Sequence, residues 1–437
     1  MKHYPLLVLI LSNPFTSIVV CAQQVPTAPA DIATPRVSAT AQLTLDDLRT
    51  FTDVFNQVRK NYVEPVDDNT LLNAAINGML AELDPHSAFL PSSDYEDLEN
   101  SAKGQYVGLG IDVVAEKGRM VIKHVISPSP ADTAGINPGD IITSVDNKPV
   151  KGRPVQEAID ELYGPPDSTV ELVILKPDDS SSTLVLKREF VKVPALSFRL
   201  LEKQYGYFRI VYFHRDSATD LKQALDSVLA EGTQLHGLIL DLRNNPGGVL
   251  QPAIEIADGF LDQGKIVSMR GRHASMDMEY SANPGQWLPG IPLVLLVDSG
   301  SASASEVLAG ALQDNRRAVV VGQRTFGKGS VQSVLPLRNG SGIKLTTARY
   351  YTPTGKSIQV DGIVPDVVVA GAVEWVDSSD NRKREIDLEG HLNNEAEKTG
   401  EAKLETVRME EDYPLHEALQ VLRVGHIFSG SMDREMK

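Results

Sequence analysis

The first clear hydrophobic periodicity in the chain predicts a group of helices. Thr44 is placed to cap a helix in which apolar residues recur at helical spacing. This apolar stripe consists of Leu48, Phe51, Val54, Phe55 and Val58. A second helix is predicted over 69–83, where Pro85 stops it, and a third over 93–101. We therefore expect a helical region over residues 43–103, in which such a stripe usually packs inside its own domain.

Short strands and turns replace the helical pattern over 104–187, and strands alternate with helices over 188–370. In the second of these regions we predict strands over 208–213, 238–242, 291–297, 318–321 and 343–349, and helices over 217–231 and 250–261. The strand over 238–242 is apolar except for Asp241, which is typical of a strand buried on both faces of a sheet. The whole pattern predicts a multidomain chain of mixed class, α/β plus α+β.

The composition is that of an ordinary soluble globular protein. The chain has 437 residues, of which 42% are hydrophobic and 23% charged, and its length suggests two to four domains. Its formal net charge of −16 argues against a nucleic-acid binder, which would carry a basic face. The nine histidines form no metal-ligand spacing, so we predict neither a metal nor a cofactor.

The N-terminal segment has a composition of its own. Residues 1–22 resemble a secretory signal peptide, with a short basic start, an apolar run and small residues before a cleavage point after Ala22. The alternative is an uncleaved N-terminal anchor. Residues 23–42 are rich in Pro, Ala, Thr and Gln and are predicted to form a linker. Cleavage would remove Cys21, the only cysteine, and export without disulfides suits the periplasm.

The C-terminal part begins with a polar stretch. Residues 371–411 are acidic and polar and are predicted to form a second linker. Residues 412–437 then open with an amphipathic helix, whose apolar face contains Leu415, Ala418, Leu419 and Leu422. This face either packs on its own domain or serves assembly into an oligomer.

The stretch from 300 to 332 carries the candidate chemistry. Ser303 lies among small residues before a helical pattern, and free N–H groups at a helix N-terminus favour an attacking alkoxide and an oxyanion. A serine hydroxyl needs an adjacent base. Lys328, 25 positions later in a Gly-rich turn, can be that base if burial removes its charge, as in known Ser–Lys pairs. Gln332 lies four residues further on, which on a strand places it on the same face and allows it to hold the amine.

Other interpretations of these residues are open. Serines before a helix are usually N-caps, and a lysine between glycines is usually a solvated turn residue. The pair Gly247 and Gly248, which follows a buried strand, is either an ordinary turn or a place of close backbone approach. His214 and His236 leave a Ser–His hydrolase as a further alternative, although a histidine in such a segment is more often structural.

The segments Gly-Ser-Ala-Ser-Ala-Ser-Glu at 300–306 and Gly-Lys-Gly-Ser-Val-Gln at 327–332 resemble the signature of the carboxy-terminal processing (tail-specific) serine peptidases. This resemblance implies that Ser303 is the nucleophile, Lys328 the general base and Gln332 the residue that supports the lysine. The two neighbouring serines are then cap or packing residues.

The same resemblance spans about residues 43–370 and again 412–425. It implies an oxyanion hole made from the amide of Ala304 and the amide of either Gly247 or Gly248. It also implies that the N-terminal helices serve dimerisation.

Residues 104–187 resemble a PDZ domain. The loop that matches the carboxylate-binding loop of PDZ domains consists of Gly108, Leu109, Gly110 and Ile111. A Pro-Gly-Asp-Ile-Ile segment follows at the expected distance, over 138–142. The resemblance implies that a protein C-terminus binds at the strand edge beside this loop. Family members commonly carry an arginine where this chain has Tyr163, so a contact that depends on that arginine cannot be carried over.

Together these features predict a periplasmic serine endopeptidase that cleaves or degrades exported proteins recognised by their C-termini. We expect a helical N-terminal region, a PDZ domain, an α/β Ser–Lys protease core and a C-terminal helical tail. The expected partners are substrate tails, further copies of the chain in a homo-oligomer and an activating adaptor protein. The alternative is a non-catalytic PDZ scaffold on a protease fold, against which the presence of Ser303, Lys328 and Gln332 argues.

Overall fold

The structure is a computed structural model, and it describes residues 43–116, 118–369 and 412–435. The signal peptide and the two linkers predicted from the sequence lie outside the described residues, over 1–22, 23–42 and 371–411. The chain divides into two compact units, one up to Leu71 and one from Leu72 onward. No helix within the described ranges is long and apolar enough to cross a membrane.

Helices occur from the beginning to the end of the described residues, with strands between them. The α-helices are α1 (Leu45–Asn61), α2 (Asp68–Ala81), α3 (Ser92–Ala102), α4 (Pro130–Thr133), α5 (Val155–Asp160), α6 (Ser217–Ala230), α7 (Leu250–Phe260), α8 (Ala304–Asp314) and α9 (Tyr413–Glu435). A short 3₁₀ helix covers Ala274–Met276.

The strands of the described residues belong to four sheets. The first half of the chain contains β1 (Ala88–Leu90), β2 (Gln105–Gly108), β3 (Ile111–Glu116), β4 (Arg119–Val125), β5 (Ile141–Val145), β6 (Lys148–Pro149), β7 (Thr169–Leu175), β8 (Ser181–Lys187), β9 (Glu189–Lys192) and β10 (Leu196–Leu201). The second half contains β11 (Tyr205–Ile210), β12 (Gly237–Asp241), β13 (Lys265–Gly271), β14 (Met278–Ser281), β15 (Leu293–Val297), β16 (Val319–Gly322), β17 (Ser330–Pro336), β18 (Gly342–Tyr351) and β19 (Val367–Val368).

Helix α1 begins where the sequence predicts. Thr44 Oγ1 accepts from the Asp47 amide at 3.1 Å, and the Asp47 carboxylate accepts from the Thr44 amide at 2.9 Å. The apolar stripe of this helix does not form a core, because α1 contains no buried residue and Phe51 is 52% exposed. The stripe is therefore a surface of the helix.

Strands β3 to β8 of the PDZ-like region form one antiparallel sheet in the order β3-β4-β5-β7-β8, with β6 beside β5, whereas β2 pairs with β9 in a separate two-stranded sheet. A hydrophobic cluster fills the first of these sheets, in which Met120, Ile122, Leu172 and Ile174 are fully buried. The alternating burial along β7 explains why this stretch shows strand periodicity.

The sheet of the protease-like region has the order β10-β11-β12-β15-β16-β19, parallel from β11 to β19 with β10 as an antiparallel edge. Helices α6, α7 and α8 cover one face and α9 covers the other. Because neighbouring parallel strands end at the same edge, the loops that follow β12, β15 and β16 meet there. Those loops carry Gly247, Ser303 and Lys328.

Helix α9 packs on this sheet through the face predicted from its periodicity. Leu415, Ala418 and Leu422 are fully buried in a cluster with Ile239 and Leu296. Of the two alternatives left open for this helix, the structure therefore has packing on its own domain.

A further sheet contains β1-β18-β13-β14, with β17 on the other side of β18. Strand β1 pairs antiparallel with the start of β18, so that Ala88 lies opposite Lys344. The short segment between α2 and α3 is thus built into the sheet that continues from the Lys328 loop.

Candidate active site

Ser303 lies at the N-terminus of α8 in a strained conformation. Its φ of 57° and ψ of −113° place a non-glycine residue in a sparsely populated region, at a typical cost of about 1–3 kcal/mol. The loop before it is fixed by Asp298, whose Oδ1 accepts from the amides of Gly300 and Asn244, both at 2.9 Å. The strain therefore persists because the surrounding loop is held on both sides.

Glu306 joins the two loops of the candidate site. This fully buried carboxylate accepts from the amide of Ser303 at 2.7 Å and from the amides of Gly327 at 2.7 Å and Lys328 at 2.9 Å. It also accepts from the Thr325 hydroxyl at 2.6 Å. Sequence reasoning gave this residue no role, although a Ser-x-x-Glu pattern at a helix start is the signal of such a contact.

Lys328 lies half-buried in the turn between β16 and β17. Burial lowers the pKa of its ammonium group, the charge of Lys344 lowers it further, and Glu306 acts in the opposite direction. This is the direction that a lysine needs to act as a neutral base. Within the described residues, no hydrogen bond joins Lys328 Nζ to Ser303 Oγ or to Gln332.

Gln332 lies on β17 but is bonded elsewhere. Its Nε2 donates to Ser330 Oγ at 2.9 Å and to Thr346 Oγ1 at 3.4 Å. The prediction that Lys328 and Gln332 share one strand face was wrong in its premise, because β17 begins at Ser330 and its register shifts between Val331 and Gln332.

Gly247 lies directly against Ser303. A Cβ atom on it would lie 2.8 Å from the Ala302 carbonyl oxygen, 2.9 Å from Ser303 Cβ and 3.1 Å from the Ala304 nitrogen. Its φ of 101° adds a second reason for glycine. Its own amide donates to Asn245 Oδ1 at 2.9 Å, which leaves the next amide, that of Gly248, as the better candidate for an oxyanion donor beside Ala304.

The neighbouring serines point into the core. Ser301 Oγ donates to the Leu242 carbonyl at 2.8 Å, and Ser305 Oγ donates to the Asn245 carbonyl at 3.0 Å. Both are fully buried, whereas Ser303 is partly exposed. Of the three serines in the motif, Ser303 is the one placed to meet a substrate.

The two histidines of the alternative mechanism have other surroundings. His214 is 1% exposed, packs against Gly104 and lies with its Nε2 3.5 Å from Asp220. His236 stacks on His426 at 4.0 Å between ring centroids. Among the described residues, neither forms a hydrogen bond or ion pair with Ser303.

An ion-pair network fixes the strand end next to the Gly247 loop. Arg243 donates to Asp412 with both terminal nitrogens, at 2.7 and 2.8 Å, and to Asp241 at 2.6 Å. Asp241 also accepts from the Tyr207 hydroxyl at 2.7 Å. The start of α9 is thereby tied to the loop that borders the candidate oxyanion hole.

The candidate carboxylate loop lies between β2 and β3. Leu109 points into the core of its sheet and is 3% exposed, while its carbonyl accepts from the Ala131 amide at 3.0 Å. Gly110 has a φ of 81°, and a Cβ atom on it would lie 2.2 Å from Ser129 Cβ. Gly110 is thus packed closely against Ser129, and Gly108 is packed closely against the Tyr106 ring.

Tyr106 covers this loop. A Cβ atom on Gly108 would lie 2.4 Å from its ring. Burial raises the pKa of the Tyr106 hydroxyl, and the nearby Gly110 backbone acts in the opposite direction. Tyr163, at the position of the missing arginine, is 62% exposed and close enough to Tyr106 to raise the pKa of its hydroxyl.

Family models match three parts of the chain. Residues 204–369 match peptidase family S41, residues 121–176 match a PDZ domain, and residues 16–93 match the activating protease CtpB N-terminal domain. The PDZ match begins after the candidate carboxylate loop.

Individual proteins are similar over most of their length. A carboxy-terminal-processing protease of Bartonella bacilliformis is 39% identical over 389 residues, which cover 87% of this chain and 89% of that protein. A chloroplastic C-terminal processing peptidase of Tetradesmus obliquus is 36% identical over 332 residues, 71% of each chain. A solved structure of a photosystem II D1 C-terminal processing protease is 33% identical, with a TM-score of 0.45, and covers 73% of this chain and 86% of its own.

The enzyme is thus favoured over the non-catalytic scaffold, since relatives that match 87% and 71% of this chain are named as a protease and a peptidase. By sequence identity over more than two thirds of its length, this chain belongs to the carboxy-terminal-processing proteases of peptidase family S41, and it is a serine-type peptidase with a PDZ domain.

Proposed function

We propose that this peptidase works by Ser–Lys acyl transfer in the periplasm and acts on exported proteins recognised by their C-termini. The observation that carries the proposal is the Glu306 carboxylate, which bonds the backbones of Ser303 and Lys328 at once. One buried group thereby places the nucleophile loop beside the loop of a lysine whose pKa is lowered by burial.

In this mechanism Ser303 attacks the peptide carbonyl and neutral Lys328 takes the hydroxyl proton. The oxyanion accepts from the amides of Ala304 and Gly248. Lys328 then gives its proton to the leaving amine. The neutral Lys328 amine next deprotonates a water molecule, which hydrolyses the acyl-enzyme. Gln332 holds the lysine amine through an oxygen acceptor.

The domain assignment forms part of the proposal. A PDZ domain over 104–187 would bind the substrate tail by its carboxylate and add it to a strand edge. The protease core would cover 188–370, and residues 43–103 would serve dimerisation. The exposed apolar stripe of α1 supports a homo-oligomer, and the match of residues 16–93 to a domain named for an activating protease supports regulated activity.

The proposal is tested by degradation of a loosely folded protein by the purified chain. The wild type is compared with Ser303→Ala, Lys328→Ala and a matched control, Lys356→Ala, which removes an exposed lysine. Wild type and control are expected to cleave, and the two site variants to lose at least ~10³-fold in rate. Cleavage by either site variant at the wild-type rate would exclude the Ser–Lys assignment.

The same assay also compares two forms of the substrate. A substrate with a free C-terminal carboxylate is compared with its C-terminal amide, which lacks the charge that a PDZ loop binds. A several-fold higher KM for the amide is expected. Equal KM values would exclude recognition through the terminal carboxylate.

A further inference from the structure

A turn outside the motifs above lies next to the candidate catalytic residues. It consists of residues 84–87 and connects α2 to β1. Asp84 Oδ1 accepts from the amides of His86 at 2.8 Å and Ser87 at 3.0 Å, and its Oδ2 accepts from the Ser87 hydroxyl at 2.7 Å. The sequence indicated only that a helix stops here, whereas the structure has an ordered turn organised around one carboxylate.

This turn is bonded to β18 opposite Gln332. The Thr346 amide donates to Ser87 Oγ at 3.2 Å, and the Thr346 hydroxyl lies close enough to the Asp84 carboxylate to lower its pKa. From the other side of β18, Gln332 Nε2 donates to Thr346 Oγ1 at 3.4 Å. A path of contacts therefore leads from Asp84 to Gln332, with hydrogen bonds from Ser87 to Asp84, from Thr346 to Ser87 and from Gln332 to Thr346.

The path has a fixed polarity. Burial acts to raise the pKa of Asp84, but hydrogen bonds from Ser87, the His86 amide and Thr346 lower it on balance, so the group stays an ionised carboxylate. An ionised carboxylate can only accept, so the single proton of the Thr346 hydroxyl points at Asp84. The hydroxyl then has only lone pairs for Gln332, which must present its Nε2 to Thr346. Its Oε1 is left for another donor.

The same turn lies beside the lysine. The His86 side chain is close enough to Lys328 for their charges to interact, and burial first and Lys328 second lower the pKa of His86. The other charged groups that act on His86 are Asp84, which raises its pKa, and Lys344, which lowers it. The turn thus borders both Gln332 and Lys328.

We propose that Asp84 is a positioning residue for the Ser–Lys pair, which acts through the Thr346 hydroxyl to hold the Gln332 amide with its oxygen available to the Lys328 amine. The inference rests on the proposed roles of Ser303, Lys328 and Gln332.

The arrangement has a physical advantage over a carboxylate in direct contact with the lysine. A carboxylate at the position of Gln332 would favour the ammonium form and raise the pKa of Lys328. A neutral hydroxyl and a neutral amide between Asp84 and the amine transmit the orientation of the carboxylate while they keep its charge away. The lysine can therefore be held in place and still act as a base.

The test uses two variants of the path in the full chain. Thr346→Val removes the hydroxyl at nearly constant volume, and Thr346→Ser restores it. Asp84→Asn keeps one oxygen for the two amides of the turn but adds a donor, which disturbs the polarity of the path. Asp67→Asn is the matched control, because Asp67 makes the same local contacts with Thr70, to its amide at 3.0 Å and its hydroxyl at 3.4 Å.

Two quantities are measured, kcat and KM for an unstructured protein and the rate at which a fluorophosphonate labels Ser303. We expect Asp84→Asn and Thr346→Val to lower kcat and the labelling rate by about tenfold or more with KM unchanged, because a misplaced catalytic group reduces the rate of the chemical step. Thr346→Ser and Asp67→Asn are expected to keep wild-type values. Unchanged kcat in both path variants, or an effect on KM alone, would overturn the proposal.

A double-variant comparison separates positioning from general damage. In a Gln332→Ala background, Asp84→Asn and Thr346→Val should cause no further loss, because the group through which they act is gone. The same loss in this background as in the wild type would refute the path. If Gln332→Ala cannot be labelled at all, the comparison of Thr346→Val with Thr346→Ser decides. Activity in Ser303→Ala or Lys328→Ala would instead refute the proposed mechanism itself, so the two failures are distinguishable.

Discussion

Replacement of Glu306 by glutamine is the most informative single perturbation of the candidate site. The carboxylate is fully buried and accepts four hydrogen bonds, three from amides and one from a hydroxyl. A glutamine has almost the same shape but only one acceptor oxygen. If this oxygen stays with Thr325 and Gly327, the new NH₂ group faces the amide hydrogens of Ser303 and Lys328.

The expected loss follows from those two contacts. A hydrogen bond to a charged group contributes about 1.5–3 kcal/mol, and a buried donor left without an acceptor adds to the cost. Two lost contacts therefore amount to about 3–6 kcal/mol of unfolding free energy. The strained backbone of Ser303 and the turn of Lys328 lose their shared anchor, so the chemical step should slow by at least ~10²-fold.

Loss of the Glu306 charge has a separate effect, which changes the pKa of Lys328 in the direction that favours the base. This carboxylate acts to raise the pKa of Lys328, so its removal lowers that pKa further. A neutral amine is the active form of the base, and the rate should therefore reach its plateau at a lower pH in Glu306→Gln than in the wild type. The plateau itself should lie lower because the geometry is lost.

The assay is the pH profile of fluorophosphonate labelling, together with thermal unfolding. Glu255→Gln is the control, since Glu255 is exposed on α7 and, among the described residues, forms a hydrogen bond with Gln251 of its own helix. A Glu306→Gln variant with the labelling rate, pH profile and unfolding temperature of the wild type would refute the reasoning.

Two further predictions concern single side chains. Lys344→Met removes a cation that lowers the pKa of Lys328, so this pKa should rise and the rising part of the labelling rate against pH should move to higher pH, measured as above. Tyr106→Phe removes a hydroxyl whose pKa the Gly110 backbone lowers. Its removal should leave the Gly110 amide open to a peptide carboxylate and tighten binding of a C-terminal peptide several-fold, measured by fluorescence anisotropy with a labelled peptide.

Each of these has its own control and contrary outcome. Lys356→Met removes an exposed lysine, and a rising part that moves equally in this variant would mean that net charge rather than Lys344 is responsible. For the PDZ loop, a C-terminally amidated peptide should bind equally to Tyr106→Phe and wild type. Weaker binding of the free-carboxylate peptide by Tyr106→Phe would mean that the hydroxyl assists recognition instead of competing with it.

Local sequence patterns determined much of this protein. The helix starts, the buried strand over 237–241 and the amphipathic face of α9 follow from periodicity and capping, which act over a few residues. The motif around Ser303 and Lys328 was sufficient to find the family, because the residue types and their spacing are specific.

Other features were decided only by the tertiary structure. The contact of Glu306 with Lys328 spans 22 positions, and that of Ser87 with Thr346 spans 259, so no local pattern could pair them. The interpretation of Gln332 relied on a continuous strand, and the register shift beside Val331 removed that premise.

The helix at the C-terminal end illustrates the general reason. Its sequence determined that one face is apolar, but periodicity says only that this face must be covered. Whether the cover is the sheet of its own chain or another copy depends on where the chain returns in space. Asp412 and Arg243, whose ion pair ties α9 to β12, lie 169 positions apart, and their meeting is a property of the fold.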